Sequence, residues 1–261
     1  SGKGSVQHLD ALTREQPKIY GRLKQADGEW AARDDVWIKT ERGHGGLTVG
    51  LGERSTEFGP ALGFGQVVGD HFDNQVLIVR ITQGPLALFK EGRPPSSGGP
   101  TGDYYLRLVN ETADALKNLE TYFPKYDGQG YEIAGFVWFQ AWNDHVNPQA
   151  SEEYADNLAN LIRDLRKEWK TPRLPVIIGE FGQSGEIPAA KSRDRVLAFR
   201  GFQSAVAEME EFRETTRFVR TSPHLRTEPA YAKPFLYYGN AETFYLIGDA
   251  FGKGMIDVLE R

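Results

Sequence analysis

YEIAGFVWFQAWND, residues 131–144, contains an uncharged run of apolar, aromatic and small residues from Ile133 to Phe139. Asp127, Gly128 and Gly130 precede it as turn formers, so the run reads as a strand buried on both faces of a parallel sheet. It then stops in polar residues, with Gln140, Asn143 and Asp144 just past the last apolar position. In an open α/β sheet that is where the ligand crevice lies, beyond the carboxyl ends of the strands. An ordinary strand followed by an Asx-type cap for the next helix fits the same spacing.

On either side of this run, strand and helix patterns alternate. Val76 to Ile81 is a second buried-strand pattern. Tyr104 to Phe123 is helical, with Leu106, Val109, Ala113, Leu116 and Leu119 three or four apart, and Tyr154 to Trp169 is helical, with Leu158, Leu161, Ile162 and Leu165 on one stripe. Pro175 to Ile178 reads as a strand, Ala189 to Phe212 as a long helix, Arg217 to Val219 as a short strand and Ala241 to Leu259 as a closing helix. Such alternation implies right-handed crossovers and a doubly wound parallel α/β sheet with helices on both faces.

The N-terminal third is less regular. Ser5 to Tyr20 holds a short helix limited by Pro17. Val36 to Lys39 and Leu47 to Leu51 are short β-like runs, set among Gly43, Gly45, Gly46, Gly50 and Gly52, where turns and loops are expected. Pro60 to Phe72 has helical spacing behind a first-turn proline and reads as the first crossover helix. Gln83 to Gly102, with GRPPSSGGPTG, is too rich in glycine and proline for an element. Its place after a strand makes it a loop bordering the crevice, with Ser96 and Ser97 as loop hydroxyls.

Composition narrows the function. A chain of 261 residues, 39% hydrophobic and 26% charged, can bury a full core and is expected to form one domain over residues 1–261. The 31 Lys and Arg are dispersed and the net charge is −5, which argues against nucleic acid or an anionic membrane as partner. With no cysteine, thiolate nucleophiles, disulfides and Cys-type metal sites are excluded. No run reaches the ~20 apolar residues of a membrane span, and SGKGSVQHLD lacks the apolar core of a signal peptide. There is no GxxxxGK[ST] loop, no GxGxxG opening a helix after a strand and no HExxH, so no cofactor or metal is expected. Glu180 with Asp144 could form a glycosidase carboxylate pair if their separation fell near 5 to 9.5 Å, roughly.

Several segments, in order, resemble one family. HGGLTVGLG, FGPALGFGQVVGDHF, VLIVRITQGPLALFKEGRPPSSGG, GFVWFQAWND, YADNLANLIRDLRKEW, PVIIGEFGQSG and YYGNAETFYLIGDAFGKGM look like the sialate O-acetylesterase-like carbohydrate esterases of the SGNH hydrolase superfamily. The likeness runs from about Ser1 to Met255. It implies an acylated carbohydrate or small ester as ligand and a secreted or periplasmic setting. It also implies a serine esterase mechanism, with the nucleophile in a GQSN(M) block, an oxyanion hole built from two further blocks, and a histidine base near the C-terminus. Acyl transfer needs the serine deprotonated as it attacks and donors ready for the oxygen charge that forms.

The chain departs from that pattern at the positions that matter most. Gly2 to Ser5 match residues just downstream of the family nucleophile, with Ser1 a flanking position, so the nucleophile block is expected to be absent and the domain N-terminally incomplete. Where the family reads roughly AWGGKSL, this chain reads TQGPLAL: Gly84 keeps the first glycine, while Pro85 replaces the second and removes an N–H donor. QGWND becomes QAWND, with Ala141 for glycine and Gln140, Asn143 and Asp144 retained. Where the family usually reads YHY(Y/F)GNAET, Leu236 stands at the histidine position, and leucine accepts no proton. His145 and His224 are the candidate substitutes, each with an exposed loop histidine as the plainer reading. Ser184, in a second GQS triplet after PVIIGEF, is a weak nucleophile candidate because that segment already matches a later family block. Glu180 is expected to line the crevice or brace it. Trp138 reads as core, and Trp142 as a residue that could stack on a sugar ring.

Two functions from different classes follow. One is a carbohydrate O-acyl esterase seen without its nucleophile segment. The other is an inactive relative that keeps the scaffold as a carbohydrate-binding or assembly subunit. In the family the GQSN strand is central in a sheet ordered 2-1-3-4-5, between Val76–Ile81 and Ile133–Phe139. An empty slot there would separate two buried strands by about 9.5 Å and leave backbone groups unpaired at ~1 to 3 kcal/mol each. The slot is therefore expected to be filled, by residues upstream of Ser1 on another chain or fragment, or by a local strand such as Val36 to Lys39.

Overall fold

The structure, a computed structural model, describes residues 3–52 and 54–261, so Ser1 and Gly2 lie outside the described residues. In chain order the elements are β1 (Gly4–Ser5), α1 (Val6–Glu15), α2 (Pro17–Tyr20), β2 (Arg33–Thr40), β3 (Gly43–Leu47), β4 (Glu57–Phe58), α3 (Ala61–His71) and β5 (Val76–Val79). There follow α4 (Asp103–Lys117), α5 (Leu119–Tyr122), β6 (Phe136–Trp138), α6 (Trp142–His145), α7 (Pro148–Glu152), α8 (Tyr154–Glu168), β7 (Val176–Gly179), α9 (Arg193–Glu208), β8 (Thr216–Val219) and α10 (Ala241–Leu259). No helix among the described residues is long and apolar enough to cross a membrane. The residues group into two compact units, one of Ser1–Thr82, Asn118–Gly128 and His224–Lys253, the other of Gln83–Lys117, Gln129–Pro223 and Gly254–Arg261.

The first unit is built on a sheet ordered β3-β2-β5. β2 runs parallel to β5, Val36 opposite Val76 through Lys39 opposite Val79, and antiparallel to β3 with a register shift between Arg33 and Trp37. Successive side chains of β2 leave on opposite faces. Val36 faces α3 at Gly65 and Gly69, where an added Cβ would collide with Val36, Leu47 or Arg33 side chains. Trp37, on the other face, stacks on Phe123 with ring centroids 4.8 Å apart and planes 2° from parallel. The sheet thus has a helix on one face and the α5 segment on the other. β3 corrects the sequence reading: glycines expected to form turns form an edge strand, because Gly46 lies so close to the Arg33 carbonyl, 2.7 Å from an ideal Cβ, that no larger residue fits.

The second unit is built on an all-parallel sheet ordered β6-β7-β8. β7 is buried at every position, and Leu158, Leu161, Ile162 and Leu165 of α8 and Val196, Phe199 and Val206 of α9 are buried with it. Gly254 lets the end of α10 lie against β8 and β7, an ideal Cβ there standing 2.8 Å from Val219 and 3.4 Å from Ile177.

The fold is mixed α/β with parallel strand pairs, as the alternating pattern implied. Several boundaries differ from the sequence reading. The strand expected over Ile133–Phe139 is only Phe136–Trp138; the helix expected over Tyr104–Phe123 breaks at Asn118; and the helix expected from Ala189 begins at Arg193 after a 3-10 turn at Ala190–Ser192. β5 and β6, the strands expected to flank a vacant slot, belong to separate ladders among the described residues, and Val36–Lys39 pairs with β5 and not with β6.

Candidate functional site

The residues past the carboxyl ends of β6, β7 and β8 form the polar rim of the second unit. After Trp138 the chain is pinned by a hydrogen-bond relay. Trp138 Nε1 donates to the Tyr154 hydroxyl at 3.1 Å, and that hydroxyl donates to the Gln140 carbonyl at 2.7 Å. Gln140 Nε2 in turn donates to the Leu86 carbonyl and to Asp144 Oδ2, both at 2.7 Å. Asp144, fully buried, also accepts from the backbone N–H groups of Leu88 at 2.8 Å and Phe89 at 2.9 Å. Burial pushes its pKa up, while these donors, which favour the ionised form, pull it back. Asp144 therefore fixes the loop that follows Gly84.

Gly84 itself is exposed, joined to Pro85 by a cis peptide, with open space where a Cβ would stand. Asn143 is half-buried on α6. Trp142, 43% exposed, lies with its ring 6.3 Å from that of Phe181.

Glu180 closes the ends of β7 and β8. Its Oε2 accepts from the N–H groups of Thr221 at 2.9 Å and Ser222 at 2.7 Å, and its Oε1 lies 3.3 Å from Arg200 Nε. Gln203 braces the same end, donating to the Gly179 carbonyl and accepting from Phe181 N–H. With both carboxylates occupied by donors, Asp144 and Glu180 hold loops, and neither is placed as a free acid–base pair of the glycosidase kind.

The candidate nucleophile and bases are differently placed. Ser184 sits half-buried in the turn closed by Gly185 N–H to the Gly182 carbonyl at 2.9 Å. The next helix, α9, starts only at Arg193, so Ser184 lacks the sharp strand-to-helix turn that presents a nucleophilic serine. His145 is 3% exposed, against the exposed-loop reading, and packs on Phe181 at 4.3 Å and Phe199 at 5.6 Å between ring centroids. Neither ring nitrogen has a hydrogen-bond partner, and burial, with Arg195 and Arg200 nearby, pushes its pKa down to about 4. It is held neutral, with nothing to orient it as a base. His224 lies half-buried in the 3-10 turn Ser222–His224. Leu236, where a base histidine was expected from the resemblance, is half-buried just before Tyr237 and Tyr238, both in the left-handed region at φ 52° and 58°.

Three further atoms stand out at this end. Gln140 Oε1, Gln183 Nε2 and Ser222 Oγ are buried with no protein partner. Gln183 and Ser222 were not singled out from the sequence. The signal was there in part, since each follows a parallel strand by a few residues as Gln140 does, but an orphaned polar atom is visible only in three dimensions. Leaving each unsatisfied costs ~1 to 3 kcal/mol, so such atoms mark places where a ligand or water completes the bonding. Among the described residues no three His, Asp or Glu side chains gather as a metal site would require.

Comparison with known proteins bears on the family and the fold. The family described as carbohydrate esterase, sialic acid-specific acetylesterase, matches residues 1–220. A probable carbohydrate esterase of Arabidopsis thaliana is 24% identical over 126 residues, a stretch that spans 46% of this chain and 40% of the relative. The X-ray structure of an Arabidopsis thaliana protein superposes with a TM-score of 0.60 at 16% identity, covering 87% of this chain and 82% of that one, a likeness of fold.

Proposed function

Because this chain belongs to the carbohydrate esterase family of sialic acid-specific acetylesterases, we propose that the rim past β6, β7 and β8 recognises an O-acylated carbohydrate. In this reading Gln140, Gln183 and Ser222 meet the ester and sugar oxygens, the partly exposed Trp142 lies beside the ring, and Asp144 and Glu180 hold the loops in place. The doubly wound, SGNH-type sheet order of the family is part of the same reading. The observation that carries it is the set of buried, unpartnered polar atoms on Gln140, Gln183 and Ser222, each just past one of three adjacent parallel strands.

The placement of the candidate catalytic residues supports a reading centred on recognition: Ser184 lies in a turn, His145 is held neutral among aromatic rings, and Leu236 stands where the resemblance would set a histidine. On this reading the rim of these residues acts in recognition, and the chain's family membership is that of a carbohydrate esterase. Titrating it with an O-acetylated xylose, followed by ligand-observed NMR, tests the recognition. Binding weakened about tenfold or more in Gln183→Ala and Ser222→Ala is the expected result, in line with ~1.4 kcal/mol for such a loss. Equal binding in both variants and the parent would refute it.

A further inference from the structure

A cavity of about 460 Å³ opens in the second unit at the amino end of β6, the end opposite Gln140. Its floor is the face of α4 carrying Val109, Thr112, Ala113 and Leu116. One wall is Tyr131 to Ile133, on the way into β6, and the other is Glu168 to Thr171, where α8 ends. The volume falls within the roughly 300 to 1,000 Å³ of small-molecule sites.

The cavity is rigid on the α8 side. Thr171 N–H bonds back to the Arg166 carbonyl at 3.0 Å and Lys170 N–H to the Lys167 carbonyl at 3.2 Å, which closes the helix end. Trp169 is held edge-on to Phe136, ring centroids 5.9 Å apart at 70°. Lys170 stands at the left-handed position of this cap, φ 55°, where glycine costs least and any other residue costs roughly 1 to 2 kcal/mol. Keeping a lysine there places an amine at the cavity wall. On the opposite wall Tyr131 is 60% exposed, a large aromatic side chain that contributes little to the core.

We propose that this cavity binds a saccharide unit, separately from the rim at the carboxyl ends of the strands. A sugar ring has an apolar C–H face for aromatic side chains such as Tyr131 and Trp169. Its hydroxyls donate to carboxylates such as Glu132 and Glu168 and to the Thr171 hydroxyl oxygen, whose own proton goes to the Trp169 carbonyl, and accept from Lys170 and Thr112. Two carboxylates against one lysine disfavour a phosphate or other anion, and a wholly apolar ligand would bury those carboxylates unpaired. The choice of a carbohydrate rests in part on the family reading above. A second sugar contact at this end would let the protein hold an oligosaccharide it does not act upon at that point.

The test uses unacylated xylotriose and cellotriose, which offer no ester to the rim. Titration of the full chain by calorimetry and saturation-transfer NMR is expected to show binding of one of them in the millimolar range, about 4 kcal/mol. Tyr131→Ala, an exposed position, weakens it about tenfold, Glu168→Gln weakens it in the same direction, and Ile187→Ala, at an exposed residue outside the cavity lining, leaves it unchanged. No binding of either sugar up to about 20 mM overturns the proposal, as does binding insensitive to both cavity variants or abolished by Ile187→Ala. The acetyl-xylose titration is read independently, so failure here leaves the rim's function standing, and failure there leaves this one.

Discussion

The Asp144 carboxylate and the Leu88 backbone N–H, far apart in sequence, meet at 2.8 Å in the buried interior of the second unit. This bond and its neighbour to Phe89 make the loop after Gly84 part of the structure and not a flexible flap. Asp144→Ala would leave two backbone donors without an acceptor and take one of the two acceptors of the Gln140 amide, which keeps the Leu86 carbonyl. At ~1 to 3 kcal/mol for each buried group, the loss in unfolding free energy is expected to reach about 3 kcal/mol or more. Urea titration followed by fluorescence measures it; a change under about 1 kcal/mol would mean the loop is held by other contacts.

Gly182 carries a second prediction. An ideal Cβ there would overlap the Thr221 hydroxyl and stand 2.7 Å from Ser222 N, and both residues bind the buried Glu180. Gly182→Ala must therefore push the segment after β8 away from Glu180, with an overpacking cost of roughly 1 to 3 kcal/mol. Acetyl-xylose binding should fall along with stability, because Ser222 moves. Full binding with lowered stability would show that Ser222 has no part in recognition.

The contrast between α10 and β6 explains what the sequence made legible. α10 has the expected bounds, Ala241 to Leu259, because its apolar period is long and unbroken. β6 was read as more than twice its length, since Ile133, Ala134 and Gly135 are apolar without being laddered; Ile133 lines a cavity instead. β3 was missed because its glycines encode a close backbone approach, which composition does not distinguish from a turn. Gln140, Asp144 and Glu180 were found by their place after strands, yet their roles were not. That the two carboxylates are saturated by backbone donors, and that Gln183 and Ser222 are not satisfied, depends on contacts between distant parts of the chain.

Acid should weaken the protein through its histidines. His145 has a folded pKa pushed down to about 4 by burial, and that of buried His8, whose Nδ1 accepts from Ala241 N–H, is also lowered chiefly by burial. The unfolded chain binds these protons first, so stability is full above about pH 6.5 and falls as the pH drops toward the folded value. For His145 the loss approaches about 3 kcal/mol near pH 4, at 1.36 kcal/mol per pH unit. His145→Phe, which removes two unpaired nitrogens from an aromatic surround, should be at least as stable at pH 8 and show a shallower decline between pH 6.5 and 4.5, roughly. An unchanged decline would mean His145 does not titrate in this way.

Hydrolysis of p-nitrophenyl acetate by the 261-residue chain tests most directly whether recognition stands here without catalysis. The expected result is no saturable turnover, with Ser184→Ala, His145→Phe and His224→Ala indistinguishable from the parent, since the proposal gives none of these residues a catalytic part and recognition alone retains at most ~10³ to 10⁴ over water. Saturable turnover abolished by Ser184→Ala, or by loss of either histidine, would contradict the account and make that residue catalytic.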